Sequence, residues 1–285
     1  MYTDTHVHVW KLSRGDYGWL KPENTVLYRD YLPDMLAPHL AAEAVEQVVL
    51  VQAAATLAET EFMLELADRT GWIAGVVGGL QPFDEGFRSD YGEVKGRKKW
   101  SGLRWNGTLF REASSGTNGE TKLLATMRQL SEDGCVLDLL ILPGDLPHVL
   151  PFAEAVPELA IVLNHLGGPG RADVEEGNMQ PWQREMAQLA ACSNVHCKIS
   201  GTITMAAGFH PEKLAAYVNH LFEVFGSQRL MFGSDWPVAL LGGSYEEVVR
   251  LFEALLPSGL REDEKAAVRS YNAKRVYKLA KECAE

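Results

Sequence analysis

The chain is poor in cysteine, with Cys135, Cys192, Cys197 and Cys283 among 285 residues and no CxxC pair. Irregular spacing gives no disulfide framework, and two of the four fall in apolar runs. The expectation is reduced, buried thiols in a cytoplasmic protein. No apolar run approaches the length of a membrane span, and no basic-then-apolar leader opens the chain, so neither a membrane nor a secreted protein is expected. Positive charge is scarce: 27 Lys and Arg against 38 Asp and Glu leave a formal charge of -11. Lys95-Gly96-Arg97-Lys98-Lys99 is one short basic cluster, of the kind found at a solvated helix end. Nucleic-acid binding needs a basic face, so it is not expected. No helix-opening GxGxxG follows a strand, and Gly167, Gly168 and Gly170 predict a tight turn instead of a phosphate cradle.

What the chain does have is rhythm. Short β-rich apolar runs recur at 2–9, 46–53, 73–80, 101–105, 135–142, 160–166, 195–201 and 229–235. Amphipathic stretches lie between or after them, at 56–70, 120–133, 181–192, 211–225, 245–256 and 262–283. Eight strands each followed by helical sequence predict an α/β protein with a (β/α)8 barrel; doubly wound sheets rarely need eight regular units. No linker or composition shift interrupts the pattern, so 1–285 reads as a single domain. The irregular segments 10–30, 106–119 and 167–178 follow strands directly. In a barrel that places them on the C-terminal face, where sites are built.

The polar residues gather at the same face. His6 and His8, in Asp4-Thr5-His6-Val7-His8, are two apart on a strand and must project from one side. Two imidazoles so placed can converge on a metal ion, a substrate oxygen or a catalytic water. Arg104 ends strand four and His165 strand six, on the parity of Ile161 and Leu163. Lys198 and Ser200 share a face of strand seven, and Asp235 ends strand eight. Closing the barrel brings strand eight beside strand one, so Asp235 is expected next to the histidine pair. Singly these residues have ordinary structural explanations: a turn-forming Asp, a core His, surface ion pairs. Seven of them at the functional ends of barrel strands point to a site. Gln52 ends strand two as a further hydrogen-bonding candidate. Aromatic faces over a polar pocket suit the C–H faces of a sugar ring, which favours Trp19 and Trp236 as lining residues. Tyr17 and Tyr28 are expected to pack the loop.

Asp4-Thr5-His6-Val7-His8-Val9-Trp10, Val49-Leu50-Val51-Gln52-Ala53, Ala74-Gly75-Val76-Val77-Gly78, Leu163-Asn164-His165-Leu166-Gly167, Cys197-Lys198-Ile199-Ser200-Gly201 and Leu230-Met231-Phe232-Gly233-Ser234-Asp235-Trp236-Pro237-Val238 follow one another in order. With Asn272-Ala273-Lys274-Arg275-Val276-Tyr277 near the end, the ordered set resembles the amidohydrolase superfamily over essentially the whole chain. More narrowly, it resembles the lactonase branch, which includes sugar-acid lactonases acting on fucono- and rhamnono-lactones and the pyrone dicarboxylate lactonase. The resemblance implies that Asp235 is the general base activating water, with His6, His8 and His165 around the scissile carbonyl. Chemistry favours those roles independently. Opening a lactone needs a base for water, donors for the developing oxyanion and an acid for the departing ring oxygen. Arg104, Lys198 and Ser200 are then available to hold substrate, with Gln52, Trp19 and Trp236.

The chain departs from metal-dependent relatives in two places. Strand five runs Leu139-Leu140-Ile141-Leu142-Pro143 with no histidine, and strand four ends at Arg104 where those relatives carry a lysine or glutamate. A two-metal site is not expected. One divalent ion, zinc by ligand type, on His6, His8 and Asp235 stays open beside metal-free catalysis. The expected activity is hydrolysis of a small-molecule sugar-acid lactone. A metal-dependent decarboxylase or lactone isomerase of the same superfamily, and a non-catalytic carbohydrate-binding barrel, are the alternatives.

Overall fold

A strand buried on both faces requires a nearly continuous apolar run, and Val45–Val51 and Ile73–Gly78 have that composition and that burial. The computed structural model describes residues 1–115, 118–206 and 212–279, without the Glu212 side chain. Eight strands make one sheet: β1 (Tyr2–Val7), β2 (Val45–Val51), β3 (Ile73–Gly78), β4 (Trp100–Asn106), β5 (Val136–Leu140), β6 (Ala160–Leu163), β7 (Val195–Ile199) and β8 (Leu230–Phe232). Each pairs in parallel with the next. The circle closes where Val7 bridges Trp236, with the Asp235 amide donating to the His6 carbonyl and the His8 amide to the Trp236 carbonyl, both at 2.8 Å. This is a (β/α)8 barrel, as the spacing of the apolar runs predicts.

The principal return helices are Pro33–Ala42, Leu57–Arg69, Phe87–Val94, Gly119–Glu132, Leu146–Ala155, Gln180–Ala190, Glu212–Phe225 and Tyr245–Leu255. Two show their start signals plainly. Thr56 Oγ1 accepts the Glu59 amide, and Ser244 forms a reciprocal capping box with Glu247. A second apolar cluster of Val49, Val51, Val77, Val136, Val162 and Met231 fills the barrel interior, with Val276, Tyr277 and Leu279 packed on it. Cys135, Cys192 and Cys197 are free thiols; Cys283 lies outside the described residues, as do 280–283 of the expected last helix. Among the described residues no helix is long and apolar enough to cross a membrane.

Several strands are shorter than the apolar runs suggest, and the difference shapes the site. β6 stops at Leu163, and His165 and Leu166 take positive φ values of 51° and 57°. His165 therefore reaches the site on a left-handed turn, and strand parity with Ile161 and Leu163 does not place it. Gly168, with φ of 65°, completes that turn; a Cβ there would lie 2.2 Å from the Ile141 carbonyl oxygen. β8 stops at Phe232, and Asp235 has φ of 65° before a cis Trp236-Pro237 bond.

Candidate active site

Asp235 is held in an unfavourable backbone region, at a cost of about 1–3 kcal/mol for a residue with a Cβ. Its neighbours fix it there: its amide donates to the His6 carbonyl and its carbonyl accepts from the Ala239 amide, each at 2.8 Å. Asp4, fully buried on β1, braces the same junction by accepting from the Ser234 amide (2.8 Å), the His6 amide (3.1 Å) and the Tyr245 hydroxyl (3.0 Å). Burial pushes the Asp4 carboxyl above its ordinary value, against those three donors.

Three rings converge on one oxygen. The Nε2 atoms of His8, His6 and His165 lie 3.4, 3.7 and 4.0 Å from Asp235 Oδ1. His165 is the most open of the four, with 19% of its side chain exposed. Burial drives all three imidazoles below their usual range. The Lys198 charge adds to this at His6, while Asp235 opposes it at His8 and at His165, which falls to about 4. Near neutral pH all three rings are uncharged.

The outer nitrogen of each ring decides what its inner nitrogen can do. His8 Nδ1 lies 2.8 Å from the Val51 carbonyl, which can only accept, so its proton is on Nδ1 and a lone pair on Nε2 faces Asp235. His6 has the opposite arrangement. The Lys198 ammonium finds three acceptors: Asp138 Oδ2 at 2.5 Å, the Thr5 carbonyl at 2.6 Å and His6 Nδ1 at 3.3 Å. With Nδ1 accepting, His6 carries its proton on Nε2, an atom with no hydrogen-bond partner among the described residues. His165 Nδ1 is 2.9 Å from Ser200 Oγ, which also accepts the His165 amide.

The remaining expected residues divide. Arg104 is buried beside the cluster and donates from Nη2 to the Gln52 carbonyl at 2.6 Å, so Gln52 contributes a backbone oxygen to the assembly. Trp19, 46% exposed, donates from its indole to the Ala53 carbonyl at 2.8 Å. Trp236 does not present a face to the pocket. It is 2% exposed and packs edge-on against Tyr31 of the 10–31 loop at 5.3 Å. Lys198 likewise does not line an open pocket: its ammonium is wholly buried in the barrel, where Asp138 neutralises it. Ser200 touches His165. Tyr17 is buried in the loop, as expected, whereas Tyr28 is 41% exposed.

Residue-type reasoning missed Asp138, Tyr277 and Glu59. Asp138 accepts from Lys198, from the Tyr277 hydroxyl at 2.7 Å and from Asn164 at 3.1 Å. Its only sequence signal is a lone charge inside the apolar run Val136-Leu137-Asp138-Leu139-Leu140. Glu59 stands in Thr56-Leu57-Ala58-Glu59, which has the spacing of a capping box. Its carboxylate instead reaches back beyond the cap to the Ala53 and Ala54 amides, each at 2.8 Å.

Ligand atoms of His6, His8 and Asp235 lie within 4.8 Å of one another and fit one small divalent cation by distance and donor type. The His8 lone pair and the carboxylate are ready donors. His6 joins them when its proton leaves Nε2, against the hydrogen bond from Lys198. No other grouping of three such ligands occurs among the described residues.

A parallel barrel with a buried His-x-His pair, a histidine after β6 and an aspartate after β8 is the arrangement that the sequence resemblance implies, and the sequence comparison agrees. The amidohydrolase family pattern matches residues 3–279, and the chain belongs to that family. It is 34% identical to an L-fucono-1,5-lactonase of Burkholderia ambifaria over 246 residues, covering 85% of this chain and 82% of that one. It is 33% identical to an L-fucono-1,5-lactonase of Burkholderia multivorans, covering 97% and 95%. A crystal structure of an amidohydrolase from Burkholderia multivorans with bound zinc superimposes with a TM-score of 0.85 at 33% identity, covering 98% of this chain and all of that one (100%).

Proposed function

We propose that this protein hydrolyses a small sugar-acid lactone, with L-fucono-1,5-lactone and related aldonolactones as first candidates. The observation that carries the reading is the convergence of three imidazoles within 4.0 Å of one Asp235 oxygen at the mouth of an amidohydrolase-family barrel. The identity of 34% and 33% to two L-fucono-1,5-lactonases supports the substrate class.

In this reading Asp235 takes a proton from water as the water oxygen bonds to the lactone carbonyl carbon. The carbonyl electron pair moves to its oxygen, and His6, with its proton on Nε2, donates to the oxyanion. The intermediate collapses by breaking the bond from carbonyl carbon to ring oxygen. Asp235 returns its proton to the departing alkoxide, giving the open hydroxy acid and the original carboxylate. The facing lone pairs of His8 Nε2 and Asp235 Oδ1, 3.4 Å apart, both accept from the attacking water and so orient it. Arg104 binds a substrate carbonyl or hydroxyl, and Trp19 covers a ring face. Lys198, with no open face, serves by holding the His6 tautomer. A single zinc ion on His6, His8 and Asp235, when bound, supplies a Lewis acid for the carbonyl.

A panel of aldonolactones followed with a pH indicator tests the proposal, with acid release as the expected result. Carbon dioxide from an unsaturated carboxylate without acid from any lactone overturns it in favour of decarboxylation. A rearranged lactone without acid identifies an isomerase, and binding without turnover identifies a carbohydrate-binding barrel.

A further inference from the structure

Where β2 ends at Val51 and the chain leaves the sheet, three consecutive carbonyls each hold a different candidate-site side chain. Val51 accepts from His8 Nδ1 (2.8 Å), Gln52 from Arg104 Nη2 (2.6 Å) and Ala53 from the Trp19 indole (2.8 Å). These side chains come from β1, β4 and the 10–31 loop, so the 51–53 carbonyls form the common template that fixes them relative to one another. The amides that follow, of Ala53 and Ala54, have no strand to pair with. Both donate to Glu59, one to each carboxylate oxygen, at 2.8 Å. Glu59 is fully buried in the first turn of Leu57–Arg69.

We infer that Glu59 is a positioning residue, whose two-oxygen grip on the Ala53 and Ala54 amides sets the carbonyl template for His8, Arg104 and Trp19. The inference rests on the lactonase reading of the site only for its kinetic consequence. Burial of a carboxyl in this place is costly and works against the charged form, the Ala53 and Ala54 amide donors oppose that by favouring the carboxylate, and a purely structural cap at Thr56 would not require it. Only a carboxylate presents two acceptors at this spacing. Glutamine has the same shape but turns an NH2 donor against one of the two amide donors.

The test is Glu59→Gln, with kcat and KM on L-fucono-1,5-lactone and the 15N indole resonance of Trp19, assigned through Trp19→Phe. A folded Glu59→Gln protein is expected to lose roughly 10- to 100-fold in kcat/KM, the scale for small misplacement of a site by a remote change. The Trp19 indole resonance should shift and its proton exchange faster. The losses from Glu59→Gln and Trp19→Phe should be less than additive, because both release the same hydrogen bond. Unchanged kinetics with an unchanged indole resonance in a folded variant overturn the inference, as does strict additivity. Should Glu59→Gln fail to fold, hydrogen exchange in the unaltered protein decides: protected Ala53 and Ala54 amides support the grip, and fast exchange overturns it. Should no aldonolactone be turned over, the lactonase reading falls while the indole and exchange measurements still decide the role of Glu59.

Discussion

Lys198 and Asp138 meet at 2.5 Å in the middle of the barrel, both with side chains shut off from solvent. Desolvation lowers the Lys198 ammonium from its ordinary value, and Asp138 is the main influence holding it up. Removing one member of such a pair strands the other charge. Lys198→Met should cost about 3–5 kcal/mol in urea unfolding, and adding Asp138→Leu should recover part of it. A single-variant loss below about 1 kcal/mol would contradict the buried pair.

Asp235→Asn keeps the size of the side chain and removes its ability to take a proton. Turnover should fall by roughly 10² or more while the melting temperature stays close to that of the parent. His6→Asn serves as the comparison, with metal content measured on both, since a ligand effect and a base effect separate only when all three quantities are known. Near-normal turnover in folded Asp235→Asn would move the base to His8, whose Nε2 lone pair faces the same point.

Only one grouping of three metal-capable side chains occurs among the described residues. Elemental analysis of the purified protein should find no more than one equivalent of a divalent metal per chain, zinc by ligand type. Two equivalents would show that the ligand assignment is incomplete.

Acidification should destabilise the protein through its buried histidines. Burial lowers His165 and His196 from about 6.5 to about 4, so between those values the unfolded chain binds protons that the folded chain refuses. Their contribution is complete above 6.5 and disappears as pH falls towards 4. Comparing urea midpoints at pH 6.5 and 5 for the parent and His196→Gln isolates one histidine; the variant should lose less on acidification. An equal or larger loss would rule out the assigned direction.

The two tryptophans should separate cleanly. Trp236→Ala removes a buried ring and should cost about 3–5 kcal/mol of stability. Trp19→Ala should leave the melt nearly unchanged and raise KM, because its ring is 46% exposed. Equal effects of the two on melting would place Trp19 in the core instead.

Residue order alone carried the barrel, the meeting of Asp235 with the histidine pair and the candidate site's position at the strand ends. The reason is that side-chain alternation and parallel connection leave few topologies, and closing eight strands forces the eighth beside the first. What tertiary structure decided is orientation over distances that period-two reasoning does not span. His165 arrives through two left-handed residues beyond β6, Trp236 packs against Tyr31 of the 10–31 loop, and Lys198 points into the barrel towards Asp138, sixty positions away. Glu59 reads as a helix cap, and only the folded backbone shows it holding the amides beyond the cap. Local sequence thus encodes which residues reach the mouth of the barrel, while their hydrogen-bond partners, and so their tautomers, depend on packing between segments far apart in the chain.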